Sequence, residues 1–273
     1  MNLQGKIHIV GQTDTGRIRQ NNEDSIGFDS ALGLMVLADG MGGHLGGEVA
    51  STLSVDSIIQ NSQQHLPSIK TGQIDSDTGF SLESICIQEA IEQANDLVYR
   101  KSTQQAELRG MGTTLVVLVF YDNRFSLAHI GDSRCYRYRN KNLDQITKDH
   151  SLLQELIGRG FYTQEEAKKS LNKNLVTKAL GIDPTTTPDV QEDLAMKNDI
   201  YLLCSDGLTD LVEDEYISLT IQRFSDNLEE AAKQLITKAN QNGGKDNISV
   251  ILCRINEDFS ESQGWFKKLI EWF

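Results

Sequence analysis

Apolar and polar positions change period several times along this 273-residue chain. Residues 5–12 alternate apolar with polar, and with residues 25–28 and the apolar run at 34–38 they predict short strands joined by tight turns. At 48–64 the period lengthens: Val49, Leu53, Val55, Ile58 and Ile59 form a helical stripe. Residues 66–80 are polar and aperiodic, with Pro67, Gly72 and Gly79, as in a surface linker. A second helix is predicted over 82–102, with Ile85, Ile87, Ala90, Ile91, Ala94, Leu97 and Val98 turned toward a core. The β-branched run at 115–120 turns at Asp122-Asn123 into a strand at 125–130, and residues 134–139 alternate as another. Residues 148–183 are charged, helix-prone and broken by Gly158 and Gly160, the pattern of a small inserted subdomain. The last third predicts strand, helix, helix, strand at 199–204, 214–222, 228–240 and 248–254.

Strands and helices thus come in blocks, which favours antiparallel sheets with helices packed outside over a regularly alternating parallel fold. Residues 255–273 are expected to form an acidic linker followed by a short helix carrying Trp265, Phe266, Leu269, Ile270, Trp272 and Phe273. Such a helix docks on the protein's own surface or serves as an interaction element.

A 38% hydrophobic content is enough for a real core, as one large domain or two small ones. A formal charge of −13 argues against nucleic acid as a partner, because backbone-phosphate binders carry a basic face. Four scattered cysteines without a CxxC pair, and the absence of an amino-terminal leader pattern or a window of about 20 apolar residues, predict a cytoplasmic protein with no membrane span.

Against this background, four acidic phrases stand out: Asn21-Asn22-Glu23-Asp24, Asp39-Gly40-Met41-Gly42-Gly43-His44, Ser205-Asp206-Gly207 and Asp246-Asn247. Asp39 and the Ser205-Asp206 pair follow strand-like apolar runs, where a carboxylate is poorly solvated. Two such charges about 4 Å apart repel by about 4 kcal/mol at an effective dielectric near 20, so a cluster must take up protons or cations. Hard oxygen ligands select magnesium or manganese over zinc. Asp39 can bridge two cations, the Gly40 carbonyl can turn toward one, and Asp206 and Asp246 can complete a binuclear site suited to phosphoester hydrolysis. Arg19, four residues before Glu23, is a candidate phosphate grip, with Arg17 the competing choice. Glu23 and Asp24 are placed to contact metal-bound waters, or else form a surface turn.

Thr13-Asp14-Thr15-Gly16 with Arg19 and Asn22-Glu23-Asp24, then Ala38 through His44, Gly112-Thr113-Thr114, Gly131-Asp132-Ser133-Arg134, Asp149-His150-Ser151, Ser205-Asp206-Gly207-Leu208 and Gly244-Lys245-Asp246-Asn247 resemble the ordered signature of the metal-dependent (PPM, type 2C) serine/threonine protein phosphatases, in their bacterial branch. The resemblance covers roughly residues 6–254. It implies an α+β fold, a four-layer αββα sandwich of two antiparallel sheets flanked by helices, as a 1–254 domain with a flap at 148–183. It implies hydrolysis of phosphoserine and phosphothreonine by a metal-bound water or hydroxide, using two Mn²⁺ or Mg²⁺ ions and a third held by Asp132 with Asp206. Asp39, Gly40, Asp206 and Asp246 take the two-metal roles, Glu23 and Asp24 the metal waters, and Arg19 the phosphate. Phosphorylated proteins are the implied substrates, a bacterial serine/threonine kinase the implied counterpart, and a monomer the expected state. The alternatives are a catalytically silent phosphoprotein-binding regulator and a hydrolase of small phosphoesters. One departure is Met41, which stands where animal members carry a histidine proposed as general acid; His44 is the nearest substitute.

Overall fold

A computed structural model describes residues 2–42, 45–162 and 175–260. Two antiparallel sheets stack face to face. The first contains β1 (Ile7–Asp14), β7 (Arg134–Arg139), β8 (Asn142–Gln145), β10 (Ile200–Cys204) and β11 (Ile248–Ile255), in the order β1-β11-β10-β7-β8. The second contains β2 (Asp24–Asp29), β3 (Leu34–Met41), β5 (Leu115–Tyr121), β6 (Arg124–Ile130) and β9 (Asp189–Leu194), in the order β2-β3-β5-β6-β9, with the short β4 (Gly112–Thr113) paired to the end of β3. Helices α1 (Gly46–His65) and α2 (Leu82–Gln104) cover the second sheet. Helices α5 (Asp214–Arg223) and α6 (Leu228–Gln241) cover the first. Two shorter helices, α3 (Leu152–Gly158) and α4 (Asp206–Thr209), are the remaining described α-helices.

Alternation along the strands builds three apolar layers. On β3, Leu34, Val36 and Ala38 face the helices, while Met35 and Leu37 face the other sheet. On β10, Leu203 points between the sheets and Leu202 and Cys204 point toward the outer helices. Both faces of these strands are covered, which explains why they read as continuous apolar runs. Along the inter-sheet side, the residues that follow are polar: Asp39 after Leu37 on β3, and Ser205 after Leu203 on β10. The core therefore ends in a polar edge at one end of the sandwich, where the site lies.

The antiparallel sandwich and its outer helices match the expected architecture. β8 and β9 were not foreseen, because both are edge strands without an apolar face. β9 (Asp-Val-Gln-Glu-Asp-Leu) is held instead by polar contacts: Glu192 Oε1 accepts from the Ser81 and Ser84 hydroxyls at 2.8 and 2.5 Å, and Arg137 pairs with Asp193 at 2.7 Å. The chain also packs beyond residue 254. Asn256 and Glu257 donate their N–H groups to the Lys6 carbonyl, and Phe259 is buried edge-on against Phe120 in the inter-sheet layer. The expected aromatic helix at 265–273 lies outside the described residues, as do 163–174 of the expected flap and His44.

Candidate metal and phosphate site

A cleft of about 350 Å³ opens at the polar end of the sandwich, lined by Arg19, Glu23, Asp39, Gly40, Met41, Gly42, Thr114, Asp132, Val176, Asp206 and Asp246. Seven of the eight expected site residues line it. The eighth, Asp24, lies directly behind as the cross-strand partner of Asp39.

Each carboxylate reaches the cleft from a different element. β3 continues past the expected strand end at residue 38, carrying Asp39 and Gly40 into pairing with β2 and β4, so these residues belong to a strand and not to a turn. Asp39 is fixed by its backbone: its N–H donates to Thr114 Oγ1 at 3.1 Å, and its carbonyl accepts from the Thr114 N–H and the Thr113 hydroxyl, both at 2.8 Å. Gly40 is required by close approach, since a Cβ there would sit 2.1 Å from the Gly47 carbonyl oxygen and 2.5 Å from that of Glu23. Asp206 opens α4 after β10, and Asp132 lies in the turn between β6 and β7.

The loop bearing Arg19 and Glu23 is joined to the Asp246 loop by one buried side chain. Asn247 accepts from the Glu23 N–H at 2.8 Å and donates its amide to the carbonyls of Thr15 and Asn21 at 3.0 and 2.9 Å. Arg19 Nη2 donates to Asp246 Oδ2 at 2.9 Å, and Arg19 is the one basic residue among those lining the cleft. Arg17 is used differently: its backbone N–H donates to the Gly244 carbonyl, its stem packs on that glycine, and it is not among the residues lining the cleft.

The electrostatics follow from burial. Burial lifts Asp39 far above the ordinary carboxylate range, and Asp24, Asp206, Asp132 and Asp246 push it further. Burial also raises Asp206 to about 8, with Asp132 and Asp210 adding to it. Asp24 and Asp132 each rise to about 6, again mainly through burial. Glu23 is raised as well, with Arg19 opposing the shift. Asp24 Oδ2 accepts from the Ser205 hydroxyl at 2.9 Å, while its buried Oδ1 has no hydrogen-bond partner. A group of buried and half-buried carboxylates with one arginine and an unsatisfied oxygen lacks positive charge. Divalent cations bound by oxygen ligands supply it, so the residues present fit the metals expected of them.

Sequence reasoning gave no role to Thr114, Val176 or Asn247. Thr114 and Asn247 stood inside the quoted phrases, but their work is to hold backbone, which a motif does not reveal. Val176 left no signal, since it reaches the cleft through tertiary contact.

Residues 13–242 match the family model described as protein phosphatase 2C. The chain is 36% identical over 249 residues to the serine/threonine phosphatase stp of Listeria monocytogenes, covering 90% of this chain and 95% of the relative. The crystal structure of the serine/threonine phosphatase PstP/Ppp of Mycobacterium tuberculosis superposes with a TM-score of 0.81 at 36% identity, covering 92% of this chain and 99% of the other. A structure of the PstP catalytic domain in complex with two manganese ions matches with a TM-score of 0.78 at 35% identity, over 92% and 99% of the two chains.

Proposed function

The chain belongs to the protein phosphatase 2C family, and from that premise we propose that its acidic cleft removes phosphate from serine and threonine side chains of proteins. The observation that carries this reading is the convergence of Asp39, Asp132, Asp206 and Asp246 on one cleft with Arg19. Asp39, the Gly40 carbonyl, Asp206 and Asp246 would hold two Mn²⁺ or Mg²⁺ ions, and Asp132 with Asp206 a third. When bound, the ions lower the pKa of a coordinated water and offset the negative charge that develops on the phosphoryl oxygens.

The protein's own groups do the rest. Arg19 spends one terminal nitrogen on Asp246, which leaves other donors of its fork for two oxygens of an incoming phosphate. That same bond holds the guanidinium at the cleft wall before substrate arrives. Asp24, behind Asp39 with one free oxygen, and Glu23 orient water within the site. Met41 lines the cleft where it offers no proton, so the leaving alkoxide is protonated by another group. Thr114 and Asn247 keep the backbone of these residues in register.

No helix among the described residues is long and apolar enough to cross a membrane. The four separate buried cysteines support a cytoplasmic setting, where the counterpart is a serine/threonine kinase and the enzyme acts as a monomer. Hydrolysis of phosphoserine, phosphothreonine and phosphotyrosine peptides and of a small aryl phosphate, each with and without Mn²⁺, tests the reading. Metal-dependent turnover of the first two is expected. Phosphopeptide binding without turnover would instead establish a silent regulator, and turnover of the small ester alone would establish a different substrate class.

A further inference from the structure

Beside the cleft lies a second titratable cluster that the mechanism above does not use. His129 on β6 and His150, in the segment after β8, stack with ring centroids 4.8 Å apart and planes 17° apart. His150 belongs to the Asp149-His150-Ser151 phrase, which so far has no role. His129 Nε2 lies 2.9 Å from the Lys148 carbonyl and must donate to it, because a carbonyl only accepts. The Gly131 N–H donates to His150 Nδ1 at 3.1 Å, so the proton of the neutral ring sits on Nε2, which lies 3.2 Å from Asp189 Oδ2.

With Asp189, these side chains have the composition of a cation site, and their ligand atoms lie within 4.8 Å of one another. The hydrogen bonds argue otherwise. A cation at His150 Nε2 would force the proton onto Nδ1, against the Gly131 N–H. The two lone pairs also lie in nearly parallel, separate ring planes and do not converge on one point.

His150 instead grips two walls of the catalytic cleft. It holds Gly131 twice: its ring accepts from the Gly131 N–H, and its backbone N–H donates to the Gly131 carbonyl at 2.8 Å. Gly131 immediately precedes Asp132 and has φ +101°, and a Cβ there would meet the Thr114 side chain at 2.7 Å, so this turn is built to one shape. The His150 carbonyl accepts from the Thr177 N–H at 2.8 Å, and Ser151 bridges to Val176, another residue lining the cleft. The stacked His129 and the Asp189 carboxylate, 3.2 Å from Nε2, flank the ring.

We propose that His150 is a positioning residue: in the Nδ1-acceptor tautomer it fixes the Gly131-Asp132 turn, and through it the Asp132 carboxylate, relative to the Val176 wall. This rests on the reading of Asp132 as a working group of the site.

Two amide substitutions separate the ring's two nitrogens. His150→Asn keeps an acceptor near Nδ1 and loses the reach to Asp189; His150→Gln does the reverse. The Asn variant is expected to keep kcat on a phosphothreonine peptide within about twofold. The Gln variant is expected to lose about tenfold in kcat with little change in KM, as supporting contacts around metal sites do. Independently of activity, hydrogen exchange at the Gly131 amide should be protected in wild type and His150→Asn and faster in His150→Gln. His150→Gln should also add little to the loss caused by Asp132→Ala, because the two act on one element. Equal losses in both variants, or a Gln variant matching wild type in kcat and in Gly131 exchange, would overturn the proposal. An Asp132→Ala enzyme as active as wild type would refute the role of Asp132 and the catalytic consequence drawn here, an outcome distinct from the exchange result.

Discussion

Asp206 shows what burial does to a single side chain. Its pKa rises to about 8 because desolvation and the nearby Asp132 and Asp210 disfavour its charge. The sign of the effect on stability follows directly. A native-state pKa above the unfolded value of 3.8 means that the metal-free protein holds the proton more tightly when folded, so this stability is present at low pH and is lost as pH rises toward 8. Asp24 and Asp132, each raised to about 6, lose theirs over the lower part of that window. In chelator, the denaturation midpoint is therefore expected to fall between pH 5 and pH 8. Asp206→Asn should flatten the upper half of that fall while reducing phosphatase activity by about 100-fold or more, because it weakens the hold on the ions that would offset transition-state charge. Denaturant titrations at several pH values check the first part; a metal-free wild type that gains stability toward pH 8 would contradict it. Asp39, Asp206 and Asp246 were legible in the sequence because each stands beside a glycine or asparagine after or before an apolar run. The bond between Arg19 and Asp246 was not, since it joins positions 227 residues apart.

At the level of elements, the cleft depends on loops sewn together by side chains. Asn247 makes three hydrogen bonds to the 15–23 segment and is 4% exposed. At about 1 kcal/mol for each bond, with a further cost for buried groups left unpaired, Asn247→Ala is expected to destabilise the fold by about 2–4 kcal/mol. It should also lower activity, because Arg19 and Glu23 lose their register with Asp246. A midpoint shift under 1 kcal/mol in denaturant would show the stitch to be dispensable. Helices α1 and α2 and the central strands were foreseen from their periods, because burial of a stripe or of both faces leaves a mark in the sequence. β8 and β9 left none. The turn before β8, Asn140-Lys141, takes positive φ at both residues, as Asp122-Asn123 does, but leads into Asn-Leu-Asp-Gln, which has no apolar run to mark a strand. β9 is stabilised by Ser81, Ser84 and Arg137, partners distant in sequence.

For the whole molecule, two sheets end in polar residues on one side, so the fold that builds the core also brings the carboxylates together. The chain carries a formal charge of −13, and the site concentrates several of those charges where solvent screens them least. Metal binding thus offsets a cost built into the folded state, and catalysis and stability should respond to the same ion. The measurement that bears most directly on this account is the initial rate of phosphothreonine-peptide hydrolysis as Mn²⁺ is titrated into chelator-stripped protein. The account predicts no turnover without metal, saturable recovery as Mn²⁺ is added, and no recovery in Asp39→Asn. Turnover that persists in excess chelator, or an Asp39→Asn variant that recovers as wild type does, would contradict it.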